Sequence, residues 1–78
     1  MSKFPRDASK RKVLRALSKL GFEIVREAEH IALRRRNLDG STTPMTIPNH
    51  RIYKSTTLRT VIAQVGVSRE EFLRVYNE

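Results

Sequence analysis

The first third of the chain carries apolar residues at helical spacing. They recur at i, i+1, i+4 and i+7, at Val13, Leu14, Leu17 and Leu20. This pattern predicts an amphipathic helix with one buried face. Asp7 or Ser9 can cap its start, because either side chain can accept from the free N–H groups of a first turn. Gly21 is expected to end the helix as a left-handed residue.

Two extended runs come next, and their β-branched residues and alternation predict strands. The runs cover Phe22–Glu27 and His30–Arg36, with a tight turn between them. Turn-forming residues at 37–41 and alternating apolar positions at 42–47 predict a second reversal and a third strand. Three sequential strands with short connections indicate an antiparallel meander.

Residues 48–55 lack a clear periodicity and are expected to be irregular or only briefly extended. A second helix is predicted after them, capped by Ser55 or Thr56. Its apolar stripe consists of Leu58, Val61, Ile62 and Val65. Ser68 and Glu71 then have the spacing of a capping box, which predicts a short last helix.

This order of elements predicts an α+β fold. Two helices are expected to cover one face of a three-stranded antiparallel sheet in the order α-β-β-β-α, followed by a short extra C-terminal helix. The 78 residues leave room for one core, so we expect a single domain over residues 1–78. Within it, residues 1–6 are expected to form a basic tail and residues 7–76 the folded core.

Charge adds a class of partner to this picture. The net charge is +8, and residues 1–60 hold fourteen Lys and Arg against five Asp and Glu. Such a surface attracts polyanions, of which nucleic acid is the commonest in the cytosol. The sequence has no cysteine, no apolar run near the roughly 20 residues that cross a bilayer and no apolar leader segment, so the expected location is cytoplasmic.

Histidine and arginine side chains share one face of the second predicted strand. Counting by twos places His30, Ala32, Arg34 and Arg36 on that face. Ile31 and Leu33 take the opposite face, toward the core. An imidazole can take the proton of a ribose 2′-OH near neutral pH, and a guanidinium can bond two phosphate oxygens at once. The face therefore predicts an RNA-phosphate surface that contains a general base.

The residues alone leave other interpretations open. A lone histidine at a strand start is more often structural, and basic residues often form a solvated face. The acid that protonates the leaving 5′-oxygen is not specified, and His50 and Glu29 are the candidates. Tyr53 and Tyr76 could stack on bases, although Tyr76 lies in an apolar pattern typical of packing. The sequence contains no phosphate loop, nucleophile elbow or metal-binding motif.

The order of short motifs resembles the HicA family, the small mRNA interferases of HicA–HicB toxin–antitoxin modules. The resemblance spans residues 9–72, and no single piece of it is specific. Its pieces are Leu20-Gly21-Phe22, Val25-Arg26, His30, Ile47-Pro48-Asn49-His50, Thr57-Leu58-Arg59 and Val67-Ser68-Arg69-Glu70-Glu71-Phe72. The family fold is similar to a double-stranded-RNA-binding domain, which agrees with the α-β-β-β-α order.

The resemblance implies a metal-independent endoribonuclease without a cofactor, which cleaves mRNA and is inhibited by a HicB-like antitoxin. We expect the antitoxin to cover His30, because masking the active surface is the direct way to silence it. The resemblance also implies that His30 is the general base. Arg34 and Arg36 are then the leading phosphate contacts. Arg26, Lys12 and Lys54 are expected to complete the RNA footprint.

Three residues depart from the family pattern. Ala28 and Glu29 stand where the family has Gly-Ser before its catalytic histidine, and Thr56 stands where a glycine is usual. Two alternatives to a nuclease therefore stay open. One is a non-catalytic module that binds RNA through its A-form shape. The other is a degenerate toxin that only binds its partner.

Overall fold

A computed structural model describes residues 4–78 of the chain. Its elements are β1 (Asp7–Ser9), α1 (Lys10–Lys19), β2 (Phe22–Glu27), β3 (His30–Arg36), β4 (Thr42–Pro48), β5 (Ile52–Lys54), α2 (Ser55–Ala63) and α3 (Arg69–Tyr76). The predicted basic tail at 1–6 falls partly outside the described residues. Of the tail residues that the structure describes, Phe4 lies near Phe72 of α3, with 6.1 Å between the two ring centroids.

The three long strands form the predicted antiparallel meander in the order β2-β3-β4. In the β3–β4 register, Ile31 lies opposite Ile47 and Leu33 opposite Met45. All four side chains are buried in the core. Because alternate residues point to opposite faces, His30, Ala32, Arg34 and Arg36 of β3 are turned away from the core. The predicted α+β fold with a short extra C-terminal helix is confirmed.

A β-bulge in β2 changes which face its second half presents. Ile24 pairs with Leu33, but the register then shifts and Arg26 pairs with Ala32. Simple alternation from Phe22 would turn Arg26 toward the core, whereas the extra residue at Val25 turns it outward. The bulge thus brings Arg26 to the same face of the sheet as Ala32.

A second, two-stranded sheet was not expected from the sequence. β1 pairs with β5 in antiparallel register, with Ala8 opposite Tyr53. Both of these side chains are buried. The brief extension expected within residues 48–55 is β5, whereas β1 is too short to show a period. The pair ties the segment before α1 to the segment before α2.

α1 and α2 pack on the strands with their apolar faces, and α3 packs against these two helices. Ser9 caps α1, since its Oγ accepts from the Lys12 N–H at 3.3 Å. Ser68 caps α3 in the same way through the Glu71 N–H at 3.1 Å. The predicted side-chain cap of α2 was wrong, because its N-cap residue is Lys54 and no side chain bonds the first turn.

Over residues 4–78, each helix is too short or too polar to cross a bilayer.

Candidate active site

His30 begins β3 and stands on the exposed face of the sheet. It lies opposite Pro48 of β4, and its neighbour Ile31 is fully buried on the other face. Arg34 and Arg36 are exposed on the same face as His30, as the alternation predicted. Arg35 is turned the other way, with its guanidinium 4.9 Å from the centroid of the Phe22 ring.

An open groove of about 490 Å³ lies beside His30. It is lined by Arg26, Ala28, Glu29, His30 and Ala32. The groove thus combines one imidazole, one guanidinium and one carboxylate on a surface that water reaches. Arg26 enters this set because the bulge in β2 turns it outward.

The other predicted arginines lie farther along β3. At a strand rise of about 3.3 Å per residue, Arg34 is roughly 13 Å and Arg36 roughly 20 Å from His30 along the backbone. Arg34 is also paired, with its Nε 3.1 Å from Glu23 Oε1. Arg36 lines a separate depression with Gly21 and Glu23. Both share the face of His30, but neither reaches its groove.

The two predicted lysines lie elsewhere. The Lys12 Nζ sits 4.9 Å from the centroid of the Tyr76 ring, on the helical side of the molecule. Lys54 lies at the start of α2 and lines a small cleft with Arg6 and Asp7. Of the five basic residues predicted to bind RNA, the structure brings only Arg26 into the His30 groove.

The turn before His30 closes without a glycine. In the described part of the chain, positive φ angles occur only at glycines, so Ala28 and Glu29 adopt ordinary backbone conformations. The Ala28 N–H donates to the His30 carbonyl at 3.0 Å. Alanine is therefore compatible with this turn, because the strain that a side chain suffers at positive φ does not arise here.

The two tyrosines are both packed, so base stacking by either is ruled out. Tyr76 is 7% exposed and Tyr53 is 1% exposed. The Tyr53 hydroxyl donates to the Pro48 carbonyl. Burial raises the pKa of Tyr53, and the negative charge of Glu27 adds to the rise, while a backbone hydrogen bond opposes it. His50 lies against Tyr53, with ring centroids 6.2 Å apart, and is not part of the groove lining.

Asn49 also lies beside this site, although the sequence pattern did not identify it as a functional residue. Its side-chain Nδ2 donates to the Ala28 carbonyl at 2.7 Å, and its backbone N–H donates to the Glu29 carbonyl at 3.2 Å. The position of Asn49 follows from the register of β3 and β4. His30 lies opposite Pro48, so Asn49, the next residue, comes to lie beside Glu29. Periodicity within one strand cannot give that register.

Residues 4–78 contain no cluster of three or more His, Cys, Asp or Glu side chains placed to hold a metal ion. A family model described as HicA toxin of bacterial toxin–antitoxin matches residues 11–67. These residues include the whole lining of the groove. Comparison with curated proteins and with solved structures gives no match.

Proposed function

The chain belongs to the HicA family of bacterial toxin–antitoxin toxins, and we propose that it is an endoribonuclease that cleaves mRNA in the cytoplasm. Membership in this family implies an antitoxin partner. The observation that carries the proposal is the groove in which His30 and Arg26 stand together on the exposed face of the sheet. A base and a phosphate-binding cation are the two groups that RNA transesterification needs most.

The proposed reaction uses the RNA's own 2′-hydroxyl. The imidazole of His30 takes the proton of the 2′-OH, and the oxygen attacks the adjacent phosphorus. The bond from phosphorus to the 5′-oxygen breaks, which leaves a 2′,3′-cyclic phosphate on one fragment and a 5′-hydroxyl on the other. The Arg26 guanidinium donates to the phosphoryl oxygens, where negative charge accumulates in the transition state.

The 5′-oxygen must gain a proton as it leaves. Glu29 lines the groove and is the leading candidate for the group that supplies this proton. His50 is the weaker of the two candidates, because it lies against Tyr53 and outside the groove lining. Arg26 then takes the place of Arg34 and Arg36 as the cation nearest the reacting phosphate.

The rest of the exposed sheet face is the proposed path of the RNA strand. Arg34 and Arg36 extend it to roughly 20 Å from His30, which spans a few nucleotides. Lys12 and Lys54 are assigned to more distant phosphates. We assign inhibition to a HicB-like antitoxin that covers the His30 groove, since masking the base and the cation together blocks both binding and chemistry.

The test is to incubate the purified protein with a long single-stranded RNA in EDTA and to identify the fragment ends by mass spectrometry. The proposal predicts fragments with 2′,3′-cyclic phosphate and 5′-hydroxyl ends. Ala28 and Glu29, in place of the family's Gly-Ser before the histidine, favour one competing function, a protein that binds RNA without cleaving it. RNA that is bound but stays intact would overturn the nuclease and support that function.

A further inference from the structure

The turn that places His30 is held from the opposite edge of the site by one residue. Asn49 donates to two successive carbonyls of this turn, through Nδ2 to Ala28 at 2.7 Å and through its backbone N–H to Glu29 at 3.2 Å. These are the two peptide units immediately before His30. Their orientation sets the direction in which the His30 side chain leaves the backbone.

The amide of Asn49 is itself fixed by a lysine from a distant part of the chain. Lys10 Nζ donates to Asn49 Oδ1 at 3.0 Å, across 39 residues of sequence. Lys10 is in turn held where α1 begins, because its backbone N–H donates to the Arg51 carbonyl at 2.9 Å. A lysine can only donate and a carbonyl can only accept, so the two contacts together fix which way the amide faces.

The His30 ring depends on this backbone support. Within residues 4–78, no hydrogen bond reaches the imidazole from another protein group, and the residue is exposed. Its position is therefore set by the backbone of the turn and not by partners of the ring. A base that is misplaced by about 1 Å can cost roughly 100-fold in rate.

We propose that Asn49 and Lys10 act as positioning residues, which hold the turn at Ala28 and Glu29 so that His30 faces the groove. The inference rests on the proposed ribonuclease function, since it assigns these residues to the same site. Neither residue touches the RNA in this account. Their contribution is to keep the base in one place, and it appears in the rate of cleavage and not in the binding of RNA.

The test compares Asn49→Ala with Asn37→Ala. Asn37 is a matched control, because its Nδ2 also bridges a turn, donating to Ser41 Oγ at 3.0 Å and Thr43 Oγ1 at 2.9 Å at the far end of β3. Asn49→Ala is expected to lower kcat about 10- to 100-fold while KM and RNA affinity stay within about twofold. Asn37→Ala is expected to leave kcat unchanged.

A second variant and an NMR measurement test the positioning role independently of the nuclease activity. Asn49→Asp keeps an acceptor for Lys10 but cannot donate to the Ala28 carbonyl, so it is expected to be as defective as Asn49→Ala. NMR of the His30 ring is expected to show shifted or broadened resonances in both Asn49 variants and wild-type resonances in Asn37→Ala. This readout applies even if the wild-type protein proves inactive.

Two results would overturn the inference. One is a pair of Asn49 variants whose His30 resonances match those of the wild type. The other is wild-type kcat in Asn49→Ala when the wild-type protein cleaves RNA. An inactive wild type with shifted His30 resonances in the variants would remove the proposed function and leave the positioning role supported.

Discussion

Arg34 and Glu23 form an ion pair on the exposed face of the sheet, with Arg34 Nε 3.1 Å from Glu23 Oε1. The two residues face each other across β2 and β3. Both side chains are about half exposed. The Arg34 guanidinium therefore already holds a carboxylate, and an RNA phosphate on this face would have to compete with Glu23 for it.

Removing the carboxylate should strengthen RNA binding. In Glu23→Gln, Arg34 loses its competitor and the face gains one unit of positive charge. We expect RNA affinity to rise about two- to fivefold and the free energy of unfolding to change by less than about 1 kcal/mol, because exposed ion pairs contribute little. Fluorescence anisotropy with a labelled RNA measures the first and urea unfolding the second. Unchanged or weaker RNA binding would remove Arg34 from the RNA path.

The salt dependence of RNA binding tests whether Arg26 contacts a phosphate. If Arg26 contacts a phosphate, Arg26→Gln should lower the slope of log affinity against log salt by about 0.7 for a single strand. Arg74→Gln is the matched control, since it removes one charge from α3, beside Glu70 and Glu71 and away from the sheet face. Equal slopes for Arg26→Gln and the wild type would place the phosphate elsewhere.

The raised pKa of Tyr53 is expected to lower the free energy of unfolding at alkaline pH. Burial raises its pKa above the usual value of 10.0, so the folded state keeps a proton that the unfolded chain releases. This contribution to stability is complete below pH 10 and is lost as the pH rises through the folded-state pKa. The unfolding free energy should therefore fall more steeply above pH 10 in the wild type than in Tyr53→Phe.

The same variant has an effect at neutral pH. Tyr53→Phe removes the hydroxyl that donates to the Pro48 carbonyl, and the expected loss is about 1 kcal/mol. Urea unfolding at pH 7 and at several values above pH 10 gives both quantities. Parallel pH curves for the two proteins would show that Tyr53 does not titrate as argued.

The outer edge of β4 is closed by a side chain. Gln64 Nε2 donates to the Thr46 carbonyl at 2.9 Å, and the Thr46 N–H donates to Gln64 Oε1 at 3.4 Å. Pro44 and Pro48 occupy the same edge and have no N–H to offer another strand. Gln64 thus takes the place of a neighbouring strand at Thr46, the residue between the two prolines whose backbone N–H and carbonyl face this edge.

We expect Gln64→Ala to lower the free energy of unfolding by about 1 kcal/mol, because two partly exposed hydrogen bonds are lost. Gln64→Glu keeps an acceptor for the Thr46 N–H but loses the donor to its carbonyl, so it should not restore the wild-type value. Chemical unfolding measures both variants. Wild-type stability in Gln64→Ala would mean that water replaces the amide at no cost.

The main sheet was predictable because its signals are local. The alternation in β3 assigned Ile31 and Leu33 to the core and His30 to the surface, and the structure agrees. The bulge at Val25 was not predictable, because a register shift depends on pairing with β3 and leaves no period in β2 itself. The outward direction of Arg26 depends on that bulge. From the sequence alone, Arg26 was therefore a weaker candidate for a phosphate contact than Arg34 and Arg36.

The small β1–β5 sheet escaped prediction for a related reason. Each strand has three residues, which is too short for alternation to be distinguished from chance. Yet this sheet brings the start of α1 beside the segment after β4, and with it Lys10 beside Asn49. Contacts between residues 39 positions apart depend on tertiary pairing, so the support of the His30 turn could be read only from the structure.

Single-turnover cleavage of RNA in EDTA tests whether His30 is the general base. Wild type, His30→Ala and His50→Ala are compared at saturating protein, with RNA binding measured in parallel. We expect the wild type and His50→Ala to cleave at rates within a few-fold. His30→Ala should bind RNA normally and show cleavage reduced at least about 100-fold, the range that a positioned base contributes. Cleavage by His30→Ala at the wild-type rate would show that His30 is not the general base.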